Sequence, residues 1–345
     1  MPINDNLAKQ LKKVELRLHR LFDEGCAAPA TGIFSAPLFS EPADQVRSLT
    51  MRGGKRMRAS LVICGADLFK NEGVQSAIID AAAALELLHV YFLIHDDIMD
   101  EDETRRGGPA VHAALARRYN SVKQGRDLAI LAGDLAASLH EGLIANLNVP
   151  KERRRSVAQI FAEMHAEVIH GQTLDLLGSR DAKEIVTRKT AAYTTVGPLA
   201  VGAALAGASL DEQLALAEIA RPLGVAFQLK DDLLGLFGDP DTTGKPAGTD
   251  IKEGKRTFLI QEAMRLGNDA QKEVITATLG SESASDAQLS KAVDAVVESG
   301  ARRSCEEEIR ALKRDALHRL DSAVYKPAGK ALLSVLALKM IDRDK

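Results

Sequence analysis

Three aspartates, Asp96, Asp97 and Asp100, close an apolar run in the stretch LELLHVYFLIHDDIMDEDETRRGGPAVH, residues 85–112. At about 100° per residue on a helix, Asp96 and Asp100 share a face and Asp97 lies beside them. Carboxylates that close repel one another, and no cation on the same helical face relieves them. A hard divalent ion would. Oxygen-only ligands suit Mg2+, which keeps several waters and completes its shell with substrate phosphates. Arg105 and Arg106 follow, and their planar guanidinium forks match phosphate oxygens. Taken alone, such a stretch reads more simply as a solvated acidic helix end.

A second acidic pair shifts that balance. Asp231 and Asp232 in VAFQLKDDLLGLFGD again end an apolar helical run, with Gln228 one turn earlier on the same side. Two acidic helix ends can face each other across a bundle and gather Mg2+ ions around a diphosphate. Cations there would neutralise the charge that builds on a leaving group as a C–O bond breaks. Lys189, Lys245 and Lys255 flank these motifs, and lysine is a common point-charge partner of phosphate.

The elements that must carry these groups read as helices almost throughout. Ala and Leu dominate, hydrophobic residues make up 46% and aromatics only 4%, with no Trp. That balance favours helix over strand. Amphipathic periodicity predicts a helix over 6–23, a Gly/Pro/Ala-rich connector over 25–43, a short helix to about 49 and another over 58–69. The central helix begins near Val74 and runs through the arginine pair, where Gly107-Gly108-Pro109 stops it. Helices then follow over 110–120, 125–147, 150–177, a short one capped by Asp181, and 211–237. Residues 238–256 form a long Gly-rich loop of the kind that tends to be functional. Helices resume from Thr257, with breaks near Gly267 and 280–285. The alternation expected of sheet strands is absent.

The expected architecture is therefore all-α, a single helical domain over residues 1–345, with residues 1–45 as its N-terminal helix and connector. Net charge is −3, with 45 Lys and Arg against 48 Asp and Glu, which is not the one-sided basic footprint of a nucleic-acid binder. Cys26, Cys64 and Cys305 are odd in number and lack metal-ligand spacing, which points to reduced thiols and a cytoplasmic protein. The first twenty residues have no apolar core of signal-peptide type. The longest apolar-rich stretch, 81–94, is too short for a membrane span.

At this point the chain resembles a family. GGKRMR (53–58), LELLHVYFLIHDDIMD (85–100), RRG (105–107), AGD (132–134), GQ (171–172), KTA (189–191), FQLKDD (227–232) and GKPAGTD (244–250) are similar, in order, to the motifs of the trans-isoprenyl diphosphate synthases. The wording looks most like short-chain synthases of actinobacterial type. The resemblance implies the isoprenoid synthase fold around a central cavity, and a homodimer. It also implies a head-to-tail condensation, in which an allylic diphosphate ionises and its cation alkylates isopentenyl diphosphate. By matching position, Asp96 and Asp100 would bind two Mg2+ ions with Asp97 in support, and Asp231 a third. Arg105, Lys189, Lys245 and Lys255 would hold the allylic diphosphate. Lys55, Arg58, His89 and Arg106 would hold isopentenyl diphosphate. Thr190 and Gln228 would face the developing cation, and Phe227 would pack on the isopentenyl group. The pattern departs from the family at position 235, which is Gly where the second motif usually ends in Asp. Asp239 lies further on, past Gly238.

Tyr91 and Phe92 stand five and four residues before Asp96, about 6–8 Å down the helix axis. A product tail growing away from the metals would meet a ring there. In the resembled family such rings accompany C15 or C20 products, so geranylgeranyl diphosphate is favoured, with farnesyl diphosphate as the alternative and Tyr91 as the floor. Other readings fit less. A phosphohydrolase built on His95-Asp96 would need further histidines around the metals. A terpene cyclase would lack Lys55, Arg58 and His89. A non-catalytic regulatory subunit would have lost more than the one aspartate.

Overall fold

The computed structural model describes residues 3–24, 40–70, 72–179, 181–238, 248–281 and 283–342. Nearly all of them are helical. In chain order the helices are α1 (Ile3–Asp23), α2 (Glu41–Met51), α3 (Met57–Asp67), α4 (Gln75–Met99), α5 (Val111–Tyr119), α6 (Val122–Ala145), α7 (Lys151–Leu176), α8 (Ala182–Ile185), α9 (Gly197–Ala206), α10 (Leu210–Phe237), α11 (Thr249–Lys252), α12 (Phe258–Leu266), α13 (Asp269–Thr278), α14 (Asp286–Glu298), α15 (Ala301–Ser322) and α16 (Pro327–Ile341). Between α8 and α9, Val186–Val196 winds as a π-helix. The side chain of Asp181 caps α8, accepting from the Glu184 N–H at 2.9 Å, as expected from the sequence.

The described residues group into two compact units. The first comprises residues 1–161, 198–213 and 326–329, and the second 162–197, 214–325 and 330–345.

In the first unit, α4 is the core. Every residue from Ala81 to Val90 is buried, so the helix is covered on all sides instead of along one stripe. Its most extensive partner is α6, and α1, α2, α3 and α5 complete the cover. Close approach of α3 to α9 depends on small residues. A Cβ on Gly65 would overlap the Leu199 backbone, and one on Gly202 the Val62 carbonyl. In the second unit α10 lies against the π-helical stretch, where a Cβ on Gly224 would overlap Thr195 Oγ1. Thr195 Oγ1 donates to the carbonyls of Ala191 (3.1 Å) and Ala220 (2.9 Å).

Two readings need correction. The central helix stops at Met99, before the arginines. A two-stranded antiparallel hairpin follows, with β1 (Thr104–Arg105) paired to β2 (Gly108–Pro109) in the register Thr104↔Pro109 and Arg105↔Gly108. The cause is local: Arg106 and Gly107 both have positive φ (51° and 70°), the geometry of a type I′ two-residue turn. Second, α4 and α6 are long and apolar enough to cross a membrane by length and composition, contrary to the short stretch read from the sequence. The apolar window of α4 is 67% buried inside the protein, as befits a core helix.

Candidate active site

In the first unit, the hairpin folds Arg105 back onto the carboxylates at the end of α4. Arg105 Nε donates to Asp97 Oδ1 at 2.6 Å, its Nη2 contacts the same oxygen, and Nη2 also donates to Asp102 Oδ2 at 2.9 Å. The sequence showed no cation on that face because the cation arrives through a turn. Asp97 is thereby buried and occupied in holding Arg105, while Asp96 and Asp100 stay half-exposed at the helix end. Arg52, which the sequence reading passed over, fixes the hairpin itself, donating to the carbonyls of Arg105 (3.0 Å) and Pro109 (2.8 Å).

Arginines also crowd around His89 on α4. Arg58 Nη1 sits 3.3 Å from His89 Nε2. Burial, then the guanidiniums of Arg58, Arg106, Arg105 and Arg56, push the His89 imidazole well below its usual range, so it stays neutral. Arg106 is likewise held below its usual value by burial and by the other arginines, against Glu86. Positive charge concentrated around a neutral imidazole can attract an anion. Lys55 is exposed on the loop that precedes α3.

That loop is anchored by another residue missed at first, Arg56, at φ +46°. Its guanidinium is 4% exposed and donates to Glu15 (2.6 Å), Glu86 (2.8 Å) and the Thr50 carbonyl (2.8 Å). The adjacent basic letters of GGKRMR hide this division of labour, since only burial separates the structural arginine from its neighbours.

The rings of Tyr91 and Phe92 pack at a tilt of 55° with centroids 5.2 Å apart, and Tyr91 meets His95 edge-on at 4.6 Å. His95 turns toward Asp134 on α6, with Nε2 to Oδ1 at 3.8 Å, in a notch that a Cβ on Gly133 would fill.

In the second unit, Thr190 and Gln228 come together. Thr190 Oγ1 donates to Gln228 Oε1 (3.0 Å), and Gln228 Nε2 donates to Asp232 Oδ1 (2.9 Å). Phe227 is half-buried beside them. Lys189, on the π-helical stretch, pairs with Asp175 at 2.9 Å, and Lys255 with Glu253 at 2.7 Å. Irregular helical turns of this kind recur at functional sites. Lys245, like Asp239, lies outside the described residues.

The donor set fits Mg2+. Among the described residues, no three acidic, imidazole or thiol groups gather closely enough to hold an ion by themselves. Mg2+ takes one or two carboxylates and fills its octahedron with water and phosphate, so a sparse set suits it. Two buried carboxylate oxygens, Asp97 Oδ2 and Asp232 Oδ2, have no hydrogen-bond partner among the described residues.

Both acids are also held protonated more readily than usual. Burial pushes Asp97 up to about 6 against the pull of Arg105, and pushes Asp232 up to about 8, aided by Asp250 and Asp231. A folded value above the unfolded 3.8 means that the folded chain binds the proton more tightly. Stability of the metal-free protein is then highest at low pH. It falls as pH rises from about 4 to 6 through Asp97 and on to 8 through Asp232, by about 1.4 kcal/mol per unit for each acid at most. Melting temperatures measured from pH 8 down to pH 5 should rise, and Mg2+ should flatten the slope. A flat or reversed profile without metal would contradict these environments.

The polyprenyl synthetase family model matches residues 39–296. The geranylgeranyl diphosphate synthase of Sulfolobus acidocaldarius is 35% identical over 253 residues, 71% of this chain and 73% of that one. The geranylfarnesyl diphosphate synthase of Aeropyrum pernix is 32% identical over 310 residues, 86% and 92% of the two chains. The crystal structure of geranylgeranyl pyrophosphate synthase from Corynebacterium glutamicum, complexed with isoprenyl diphosphate and magnesium, superposes with a TM-score of 0.87 at 32% identity. It covers 99% of this chain and 100% of its own.

Proposed function

The chain belongs to the polyprenyl synthetase family, and from that premise we propose that it condenses isopentenyl diphosphate head to tail with an allylic diphosphate, yielding geranylgeranyl diphosphate. The all-α isoprenoid synthase fold, prenyltransferase activity and short-chain prenyl diphosphate synthesis follow from the family and its relatives. The C20 product, the Mg2+ requirement and the residue roles are our reading. The observation that carries it is the positive charge that Arg58 and Arg106 bring to neutral His89. A metal-dependent cyclase has no use for a second diphosphate site.

In this reading Lys55, Arg58, His89 and Arg106 bind the diphosphate of isopentenyl diphosphate. Arg105, Lys189, Lys245 and Lys255 bind that of a dimethylallyl, geranyl or farnesyl primer. Asp96, Asp100 and Asp231 would hold Mg2+, three ions in all, which supplies positive charge against the departing diphosphate. Asp97 orients Arg105 toward the same anion. As the allylic C–O bond breaks, the Thr190 hydroxyl and Gln228 amide turn their dipoles toward the cation, stabilising it without attacking it. Phe227 packs on the isopentenyl double bond, which forms the new C–C bond. The released diphosphate takes the proton lost from C2 of the isopentenyl unit, next to the cationic carbon left by the alkylation, so no side-chain base is needed.

Purified protein supplied with labelled isopentenyl diphosphate and each primer should give a C20 product by chromatography. The Tyr91→Ala and Phe92→Ala variants should lengthen it by one or more five-carbon units. Unlengthened products would place the floor elsewhere and return farnesyl diphosphate or another limit to contention. No turnover with any primer would favour a regulatory subunit.

A homodimer is supported by exposed apolar residues on α6, with Val122 75% and Leu131 55% exposed and Ile130 close by. Light scattering should report twice the chain mass, and Leu131→Glu should halve it. Cys64 and Cys305 are buried free thiols, in keeping with a reducing cytoplasm.

A further inference from the structure

Position 235 lacks the aspartate that usually closes the second motif, yet the space beside it is occupied by a carboxylate. A Cβ built on Gly235 would fall within the van der Waals radius of Asp250 Oδ2 and 3.2 Å from Asp250 Cγ. Asp250 arrives on α11, a segment tied down at several points. The Ile251 N–H donates to the Gly248 carbonyl (3.0 Å), the Lys255 N–H to the Asp250 carbonyl (2.9 Å), and the Gly280 N–H to the Ile251 carbonyl (2.8 Å). One turn before Gly235 on α10 stand Asp231 and Asp232. Asp232 is only 6% exposed, and its Oδ2 has no hydrogen-bond partner among the described residues. A buried carboxylate oxygen left without a donor is open to an ordered water or an ion.

We propose that Asp250 supplies, from a separate element, the carboxylate that Gly235 does not, so that Asp231 and Asp250 together hold the metal of the second acidic site and its ordered waters. The inference rests on reading Asp231 as a metal ligand. It gives Gly235 a positive role, since any side chain at 235 would displace Asp250.

Mn2+ is the probe, titrated into the intact protein with inorganic pyrophosphate while electron paramagnetic resonance counts the free ion. Asp250→Asn is expected to weaken one ion per chain by about 10- to 100-fold. Gly235→Asp in the Asp250→Asn background returns a carboxylate to the motif position and should recover that ion, whereas Gly235→Asp alone should add none. Circular dichroism melts establish that each variant is folded. If Asp231→Asn leaves Mn2+ binding unchanged, the metal reading itself fails. If Asp231→Asn loses the ion but folded Asp250→Asn keeps full affinity, the metal reading stands and the role of Asp250 is overturned. A folded double variant that recovers nothing overturns the equivalence of the two positions.

Discussion

Turnover of the Asp96→Asn variant is expected to fall about a thousandfold, while isopentenyl diphosphate still binds. The size follows from what a fixed charge contributes when it organises the stabilisation of a leaving group, about 10²–10³ for a single well-placed group, with the loss of a metal ion at the upper end. Asp96 is half-exposed at the end of α4, so asparagine keeps its shape and the helix end. The neighbouring Asp97 cannot take over, because Arg105 engages its Oδ1 and burial favours its protonated form. In the proposed reading isopentenyl diphosphate relies on Arg58, His89 and Arg106, of which Arg58 touches His89 and Arg106 adds its charge there. Single-turnover rates with geranyl diphosphate, set beside a binding titration with isopentenyl diphosphate alone, would separate the two effects. A variant that retains more than a tenth of the wild-type rate would remove Asp96 from the metal set.

The second large effect concerns stability. Arg56→Met should destabilise the protein by about 3–5 kcal/mol, because it leaves Glu86 buried without its partner. Arg56 and Glu86 are 4% and 3% exposed, and the same guanidinium holds Glu15 and the Thr50 carbonyl. Against a total stability of about 5–15 kcal/mol such a loss approaches unfolding. Glu86→Gln added to Arg56→Met removes the stranded charge and should restore a good part of the loss. Urea denaturation of the single and double variants would measure it. Equal midpoints for wild type and Arg56→Met would show that the pair contributes nothing.

Helix types and most boundaries were legible because the apolar spacing of α1, α6, α7 and α10 is set by local chemistry alone. Asp181 as the cap of α8 was readable for the same reason. Thr190 and Gln228 were found through their motifs, and their hydrogen bond follows from the packing of α10 on the π-helical stretch. What escaped depends on tertiary geometry. The end of α4 was set seven residues too late, because a type I′ turn with Arg at a left-handed position carries none of the usual Asn-Gly signal. Arg56 and Lys55 are indistinguishable as letters, and only their surroundings make one a buried anchor and the other an exposed hand. Asp250 was in view as part of GKPAGTD, but nothing in its spacing from Gly235 says that the chain brings the two into contact.

The hairpin between α4 and α5 carries a last consequence. Arg105 and Arg106 are consecutive, and in an extended strand neighbouring side chains already diverge. Here the left-handed backbone at Arg106 (φ 51°) makes that divergence permanent. One arginine is bound to the acidic end of α4, and the other joins the cluster around His89. A single tight reversal therefore gives two consecutive arginines different surroundings, one held against Asp97 and Asp102 and the other set near Glu86 and Arg58. Lengthening it by one residue would change which neighbour each arginine serves without altering the composition of the site.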